Sequence, residues 1–256
     1  MLWYRSLIAI LSDTANFRMK PLTSVPPSDF QRLYLLPEQC TKSVSRTRDW
    51  TIPALHKLGI NQGRILSVGC ANGMDVLTLR AAGYEAFGTD LYPPHQDALP
   101  WFKQGSITAI PFANESFDAV TCLEVIEHIE VEMRATAVQE LMRVVRKGGV
   151  VLIATPNRFF PFDEHAELVR FHSPFETETL SCSDLERLFG SPPQTIPWTG
   201  YFQFQRFGRA AQYLVPKILR IFEPRWVHRS PLNPHLFLAF TKEARNGKPS
   251  LAQDRP

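Results

Sequence analysis

The sequence predicts an α/β protein: a doubly wound, mainly parallel sheet in a single domain. Three observations predict it. Short β-compatible runs alternate with helical patterns from Arg64 to Ala154, and strands separated by helix-length crossovers pair in parallel. The run Val150–Ala154 (VVLIA) is apolar throughout, the pattern of a strand covered on both faces. Finally, Ile65-Leu66-Ser67-Val68 enters the turn Gly69-Cys70-Ala71-Asn72-Gly73, and a helical pattern follows. A strand that turns on glycine into a helix brings backbone N–H groups to a nucleotide.

The elements follow in order. Residues 1–50 are expected to form a helical extension, with one or two short helices over 12–48. After the strand Ile65–Val68, a helix over Met74–Ala82 should bury Met74, Leu77 and Ala81 and stop at Gly83. Tyr84–Thr89 is a second strand ending at Asp90, Trp101–Gln104 a weak third and Phe117–Leu123 a fourth. Val131–Lys147 reads as a helix with Val138, Leu141, Met142 and Val145 inward, stopped by the cations and glycines of RKGG. Val150–Ala154 is the fifth strand, and His235–Glu243 (HLFLAFTKE) a late strand returning to the sheet. The domain thus covers 51–243, with an amphipathic insertion near 201–229 and a disordered tail over 244–256.

Composition narrows the class. At 256 residues, one well-buried core is the expectation. A net charge of +3 does not argue for nucleic acid. Four scattered cysteines, Cys40, Cys70, Cys122 and Cys182, suggest neither a disulfide framework nor a structural zinc site. No apolar run has the length of a membrane span. The N-terminal MLWYRSLIAILSD lacks a basic start and a small-residue cleavage site, so it reads as a short helix rather than a signal peptide. A cytoplasmic location is expected, with membrane association left open.

The nucleotide is not a dinucleotide. That fingerprint needs glycine at the first, third and sixth positions of the turn, where this chain has Gly69, Ala71 and Met74. Asp90 follows Gly73 by 17 residues at the end of a strand, placed for two ribose hydroxyls. Any βαβ turn also needs a glycine, so the turn alone leaves a structural reading open.

Four segments carry further information: ILSVGCANG, FGTD, GSITAIPFANESFDAVTCLEVIEHI and RVVRKGGVVLIATPN. In order and spacing the sequence resembles the class I S-adenosylmethionine-dependent methyltransferases over Arg64–Asn157, and more weakly to Phe240. The resemblance implies a seven-strand Rossmann-like sheet and S-adenosylmethionine as cofactor. It places Ser67, Gly69, Cys70, Ala71, Gly73, Asp90, Leu91, Ser106, Ile107 and Leu123 against that cofactor. Two positions depart from the family's pattern. Ser67 and Ser106 stand where it usually has acids, one beneath the methionine part and one at the adenine amino group. Serine still accepts a hydrogen bond but supplies no charge. Ala71 replaces a loop glycine, which is tolerable only where φ stays negative.

Methyl transfer to oxygen requires loss of a proton, to a base or with the help of a metal. Glu124-Val125-Ile126-Glu127-His128 follows the fourth strand, at the carboxyl edge where ligands bind. On a helix, Glu124, Glu127 and His128 would share one face, and with His165 from TPNRFFPFDEH they could hold Mg or Mn. This pattern is similar to the ubiquinone-biosynthesis O-methyltransferases and to small-RNA 2′-O-methyltransferases. The alternatives are a solvated acidic face, or His128 acting as base without metal. His172 lies further along.

Arg206–Phe222 places Arg206, Arg209, Lys217 and Arg220 on one helical arc with Phe207, Leu214, Ile218, Ile221 and Phe222 opposite, interrupted by Pro216. Such a stretch suits an anionic membrane surface or a lid over the substrate. The sequence therefore predicts methyl transfer to an oxygen of a small-molecule or lipid-like acceptor. The alternatives are RNA 2′-O-methylation, against which no separate RNA-binding module is visible, and a non-catalytic binder of the cofactor.

Overall fold

The computed structural model describes residues 37–93, 99–159, 179–194, 196 and 235–243. Helix α1 (Pro37–Arg46) runs through a π-helical turn, Thr47–Thr51, into α2 (Ile52–Lys57). Then come β1 (Arg64–Val68), α3 (Met74–Ala81), β2 (Glu85–Asp90), β3 (Phe102–Gln104) and β4 (Phe117–Leu123). A 3₁₀ turn, Ile126–His128, precedes α4 (Val131–Val144), β5 (Val145–Pro156), α5 (Cys182–Phe189) and β6 (His235–Thr241).

The sheet order is β3-β2-β1-β4-β5-β6. All neighbours pair in parallel except β5 and β6, which run antiparallel from Val150↔Thr241 to Pro156↔His235. The described residues form six strands where the resemblance implies seven.

Strand periodicity sorts side chains to two faces. Leu66, Val68, Val120, Cys122, Val151 and Ile153 pack with Val138 and Leu141 of α4 and Leu185 of α5. Their alternates Ile65, Ala119, Val150 and Leu152 pack with Leu55 of α2 and with Val76 and Leu79 of α3. Both faces are covered, so β4 and β5 read as near-continuous apolar runs. Phe189 of α5 stacks on Phe240 of β6 at 3.9 Å between centroids, closing the antiparallel edge.

Three expectations need correction. The buried face of α3 is Asp75, Val76 and Leu79, while Leu77 is 43% exposed and Ala81 is exposed. The expected apolar stripe ignored the polar residue that the helix buries. The RKGG segment does not end α4, which stops at Val144; it is part of β5. β-branched Val144-Val145 leads into the strand, because Val145 pairs with Phe117. The register then jumps to Ala119↔Val150, so Arg146–Gly149 bulges out of the ladder. Finally, Glu124–His128 is no single helix: Glu124 has φ +59° and the 3₁₀ turn starts only at Ile126. The amphipathic segment 206–222, His165, His172, the tail and most of the N-terminal extension lie outside the described residues.

The bulge separates two glycine requirements. Gly148 has φ +73° with open space where a Cβ would stand. At Gly149 a Cβ would lie 2.6 Å from the backbone oxygen of Asp118. Thermal unfolding should show Gly148→Ala losing about 1 kcal/mol from conformation alone. Gly149→Ala should lose about 2 kcal/mol or more, because β4 or β5 must move. Equal losses would mean that the approach of the two strands is not fixed.

Candidate active site

The carboxyl edge of β1, β2 and β4 is built around the turn 69–73. The carbonyl of Thr89 accepts the N–H of Gly69 at 2.8 Å and of Cys70 at 3.3 Å, carrying the β1–β2 pairing beyond the strand end. Asp90 continues it. Its Oδ2 accepts the N–H of Ala71 at 2.8 Å and its Oδ1 the N–H of Tyr92 at 3.1 Å. The Asp90 carbonyl also accepts the N–H of Gly105, tying β2 to the segment after β3. Burial pushes the Asp90 carboxyl above the usual range, while its backbone donors pull it back.

Gly69, at φ +74°, sits against the segment leaving β4: a Cβ there would lie 2.3 Å from Cγ2 of Val125. Ala71 has φ +44°. The condition set by the sequence, a negative φ at Ala71, is not met, so this alanine occupies a conformation that suits glycine.

Beneath the turn lies a carboxylate that sequence reasoning missed. Asp75, in the first turn of α3, accepts a hydrogen bond from Oγ of Ser67 and one of 2.8 Å from the N–H of Val76. Ser67 is 2% and Asp75 9% exposed, so an acid lies below the strand end although residue 67 is serine. Burial raises the Asp75 pKa; Ser67, Val76 and the charge of Arg46 oppose that rise. The Cys70 thiol is held well above its ordinary value, first by burial and then by the charges of Asp75 and Asp90. The signal in the sequence was an acid in the first turn of the helix after the glycine loop.

The segment after β3 is clamped from α4. Ser106 and Thr108 share a 2.8 Å hydroxyl contact, and Ser106 Oγ accepts the N–H of Thr108. Ile107 is buried, whereas Leu91 is 55% exposed. Arg143 donates to the carbonyls of Ile110 and Phe112 and to Asn114, all at 2.8 Å, and Glu140 accepts the N–H of Ile110. The Arg143 bond also holds the Glu140 carboxyl below its usual range. The i,i+3 spacing of Glu140 and Arg143 was the signal available for this clamp.

At the end of β4 the expected metal donors diverge. Leu123 is buried. Glu124 turns to β6, where its Oε2 lies 3.3 Å from Nε2 of His235. Glu127, fully buried, accepts a 3.0 Å hydrogen bond from the hydroxyl of Thr155. His128 keeps 30% side-chain exposure, with Nε2 4.0 Å from Oε1 of Glu127. Among the described residues, no group of three or more His, Cys, Asp or Glu side chains is placed to hold a metal ion. His165, the fourth residue of the expected set, lies outside the described residues.

Comparisons with known proteins agree with this architecture. Residues 66–153 match the family described as "Methyltransferase domain". The ubiquinone biosynthesis O-methyltransferase of Alkalilimnicola ehrlichii is 32% identical over 111 residues, covering 39% of this chain and 44% of that protein. A demethylmenaquinone methyltransferase of a Mycobacterium species is 31% identical over 132 residues, 46% of this chain and 54% of that protein. The matches thus span about half of those relatives. In the structure of a complex between the Haloferax volcanii Trm112 methyltransferase activator and a methyltransferase, one chain superposes with a TM-score of 0.53. That chain is 16% identical, and the match covers 86% of this chain and all of that one. A Galdieria sulphuraria structure described as a sarcosine dimethylglycine methyltransferase gives 0.50 at 16% identity, over 77% and 86% of the two chains. At these identities the structures speak for the fold alone. Residues 66–153 thus carry a methyltransferase domain, set in a fold shared with solved methyltransferases.

The strained alanine yields a stability prediction. Ala71→Gly should raise unfolding free energy by about 1 kcal/mol, the relief at positive φ exceeding the entropy that glycine adds to the unfolded chain. Chemical denaturation measures it. A loss of stability would mean that Ala71 does not adopt this conformation in solution.

Proposed function

We propose that this protein transfers the methyl group of S-adenosylmethionine to an oxygen of a small, lipid-like acceptor. The observation that carries the reading is the Asp90 carboxylate, anchored on the glycine turn and on Tyr92 at the carboxyl end of β2. Its two oxygens accept N–H groups from Ala71, Leu91 and Tyr92 and, with about four lone-pair sites between them, would still accept a ribose hydroxyl. The exposed Leu91 would cover one face of the adenine, while Ser106 and Ile107 would line its edge. Relatives named for O-methylation in ubiquinone biosynthesis and for demethylmenaquinone methylation support an acceptor of quinone-like character.

The bound cofactor supplies a sulfonium-activated methyl carbon. The protein's part is to hold the acceptor oxygen in line with it and to take up the oxygen's proton. As the new O–C bond forms, the S–C bond breaks and leaves a neutral thioether. His128 is our candidate for the proton. Its side chain is partly exposed three residues beyond Val125, the residue seated against the turn, and the Glu127 carboxylate at 4.0 Å would steady the imidazolium. Since Glu124 is engaged with His235, no step is routed through a metal.

The test combines calorimetry with transfer of a labelled methyl group to hydroquinone and catechol acceptors. Asp90→Ala should weaken S-adenosylmethionine and S-adenosylhomocysteine alike by about 1–3 kcal/mol, because both carry the ribose. His128→Gln should lower turnover about 10²–10⁴-fold and leave cofactor affinity unchanged. Tighter binding of NAD than of either adenosyl ligand would overturn the cofactor reading. Transfer to RNA 2′-hydroxyls, and to none of the phenols, would overturn the acceptor.

A further inference from the structure

The acid beneath the turn has a consequence for which ligand the site prefers. Asp75 is buried, accepts from Ser67 and Val76, and has the charge of Arg46 within electrostatic reach. All three favour its ionised form against the cost of burial. Its charge is felt at Cys70, inside the turn, together with that of Asp90. Two carboxylates thus bracket residues 69–73, one from β2 and one from α3. Their tasks differ. Asp90 offers lone pairs to hydroxyls at the turn's outer side, whereas Asp75 is held from below by a serine hydroxyl. An interior charge is screened far less than one at the surface, so an ionised Asp75 acts on the turn without needing a hydrogen bond to the ligand.

We propose that Asp75, seated on Ser67, makes the site select the positively charged sulfonium cofactor over its neutral thioether product. The assignment rests on the cofactor reading above. Asp75 is a positioning and specificity residue rather than a catalytic one, since its partners are Ser67 and the backbone. Product release follows from the same charge. Once the methyl group has left, the sulfur is neutral and the attraction of Asp75 for it is gone, while the ribose contacts to Asp90 persist. Exchange of product for fresh cofactor is thereby favoured without movement of the fold.

The experiment is calorimetric titration of the full chain with S-adenosylmethionine and, separately, with S-adenosylhomocysteine, with unfolding temperature as control. Asp75→Asn keeps the shape and removes the charge. It should weaken S-adenosylmethionine about tenfold and S-adenosylhomocysteine less than about threefold, the difference one unscreened charge makes in a protein environment. The exchange Ser67→Asp with Asp75→Ser keeps one carboxylate and one hydroxyl in the same space and should restore the preference. Should Asp75→Asn not fold, the exchanged pair is the test: a preference like that of the unaltered protein supports the proposal, and its loss overturns it. Equal losses for the two ligands in Asp75→Asn, or none, also overturn it. These outcomes leave the cofactor reading standing, because both ligands still bind the unaltered protein. Binding of neither ligand by the unaltered protein overturns that reading and this proposal together.

Discussion

Gly69 must lack a side chain for two independent reasons, and the site depends on both. Its φ of +74° turns the chain off β1, and the space where a Cβ would stand is taken by Val125. The first lets the N–H groups of Gly69 and Cys70 reach the carbonyl of Thr89. The second seats the segment after β4 directly on the turn. Any larger residue would have to displace Val125, and with it the 3₁₀ turn carrying Glu127 and His128. The glycine turn and the proposed proton acceptor are therefore positioned by one contact between residues 56 apart in sequence.

Strain is concentrated where this contact operates. Among the described residues, three non-glycine residues have positive φ: Ala71, Glu115 and Glu124. Two of them lie at the carboxyl edge of the sheet, on either side of the Gly69–Val125 contact. Such conformations persist only where surrounding interactions over-determine them. Ala71 is held by its N–H bond to Asp90, and Glu124 by its N–H bond to the carbonyl of Ala154. A backbone that spends stability at these places points to selection for the shape of the edge rather than for stability alone.

Much of this was legible in the sequence because it depends on local pattern. The fourth strand appears at Phe117–Leu123, as apolar content and flanks predicted. The turn and Asp90 were marked by spacing. The misreadings share one cause, that a tertiary partner overrode a local signal. Val145 left the helical pattern to pair with Phe117. Glu124 left a helical face for His235, a partner 111 residues away that no periodicity connects to it. Asp75 was invisible to a hydrophobic stripe because it is a charged residue on the buried face, where the hydroxyl of Ser67, the N–H of Val76 and the charge of Arg46 make its burial tolerable. The serine that looked like the loss of an acid is the partner of one.

The antiparallel last strand completes the edge in a way that a parallel strand cannot. Parallel strands bring only their C-termini to the carboxyl edge, so every functional side chain there would come from a strand end or the loop after it. Because β6 runs the other way, its first residue, His235, arrives at that edge next to Pro156 at the end of β5. From there it meets Glu124 across the end of β5, joining β4 to β6 above the strand between them. The carboxylate that would otherwise face the site with an unbalanced charge is thereby committed to an imidazole. That pair lies on the β4–β6 side of the edge, away from Asp90 at the end of β2 and Asp75 beneath the glycine turn. One reversed strand, far along the chain, thus brings an imidazole to an edge otherwise built from strand ends and the loops after them.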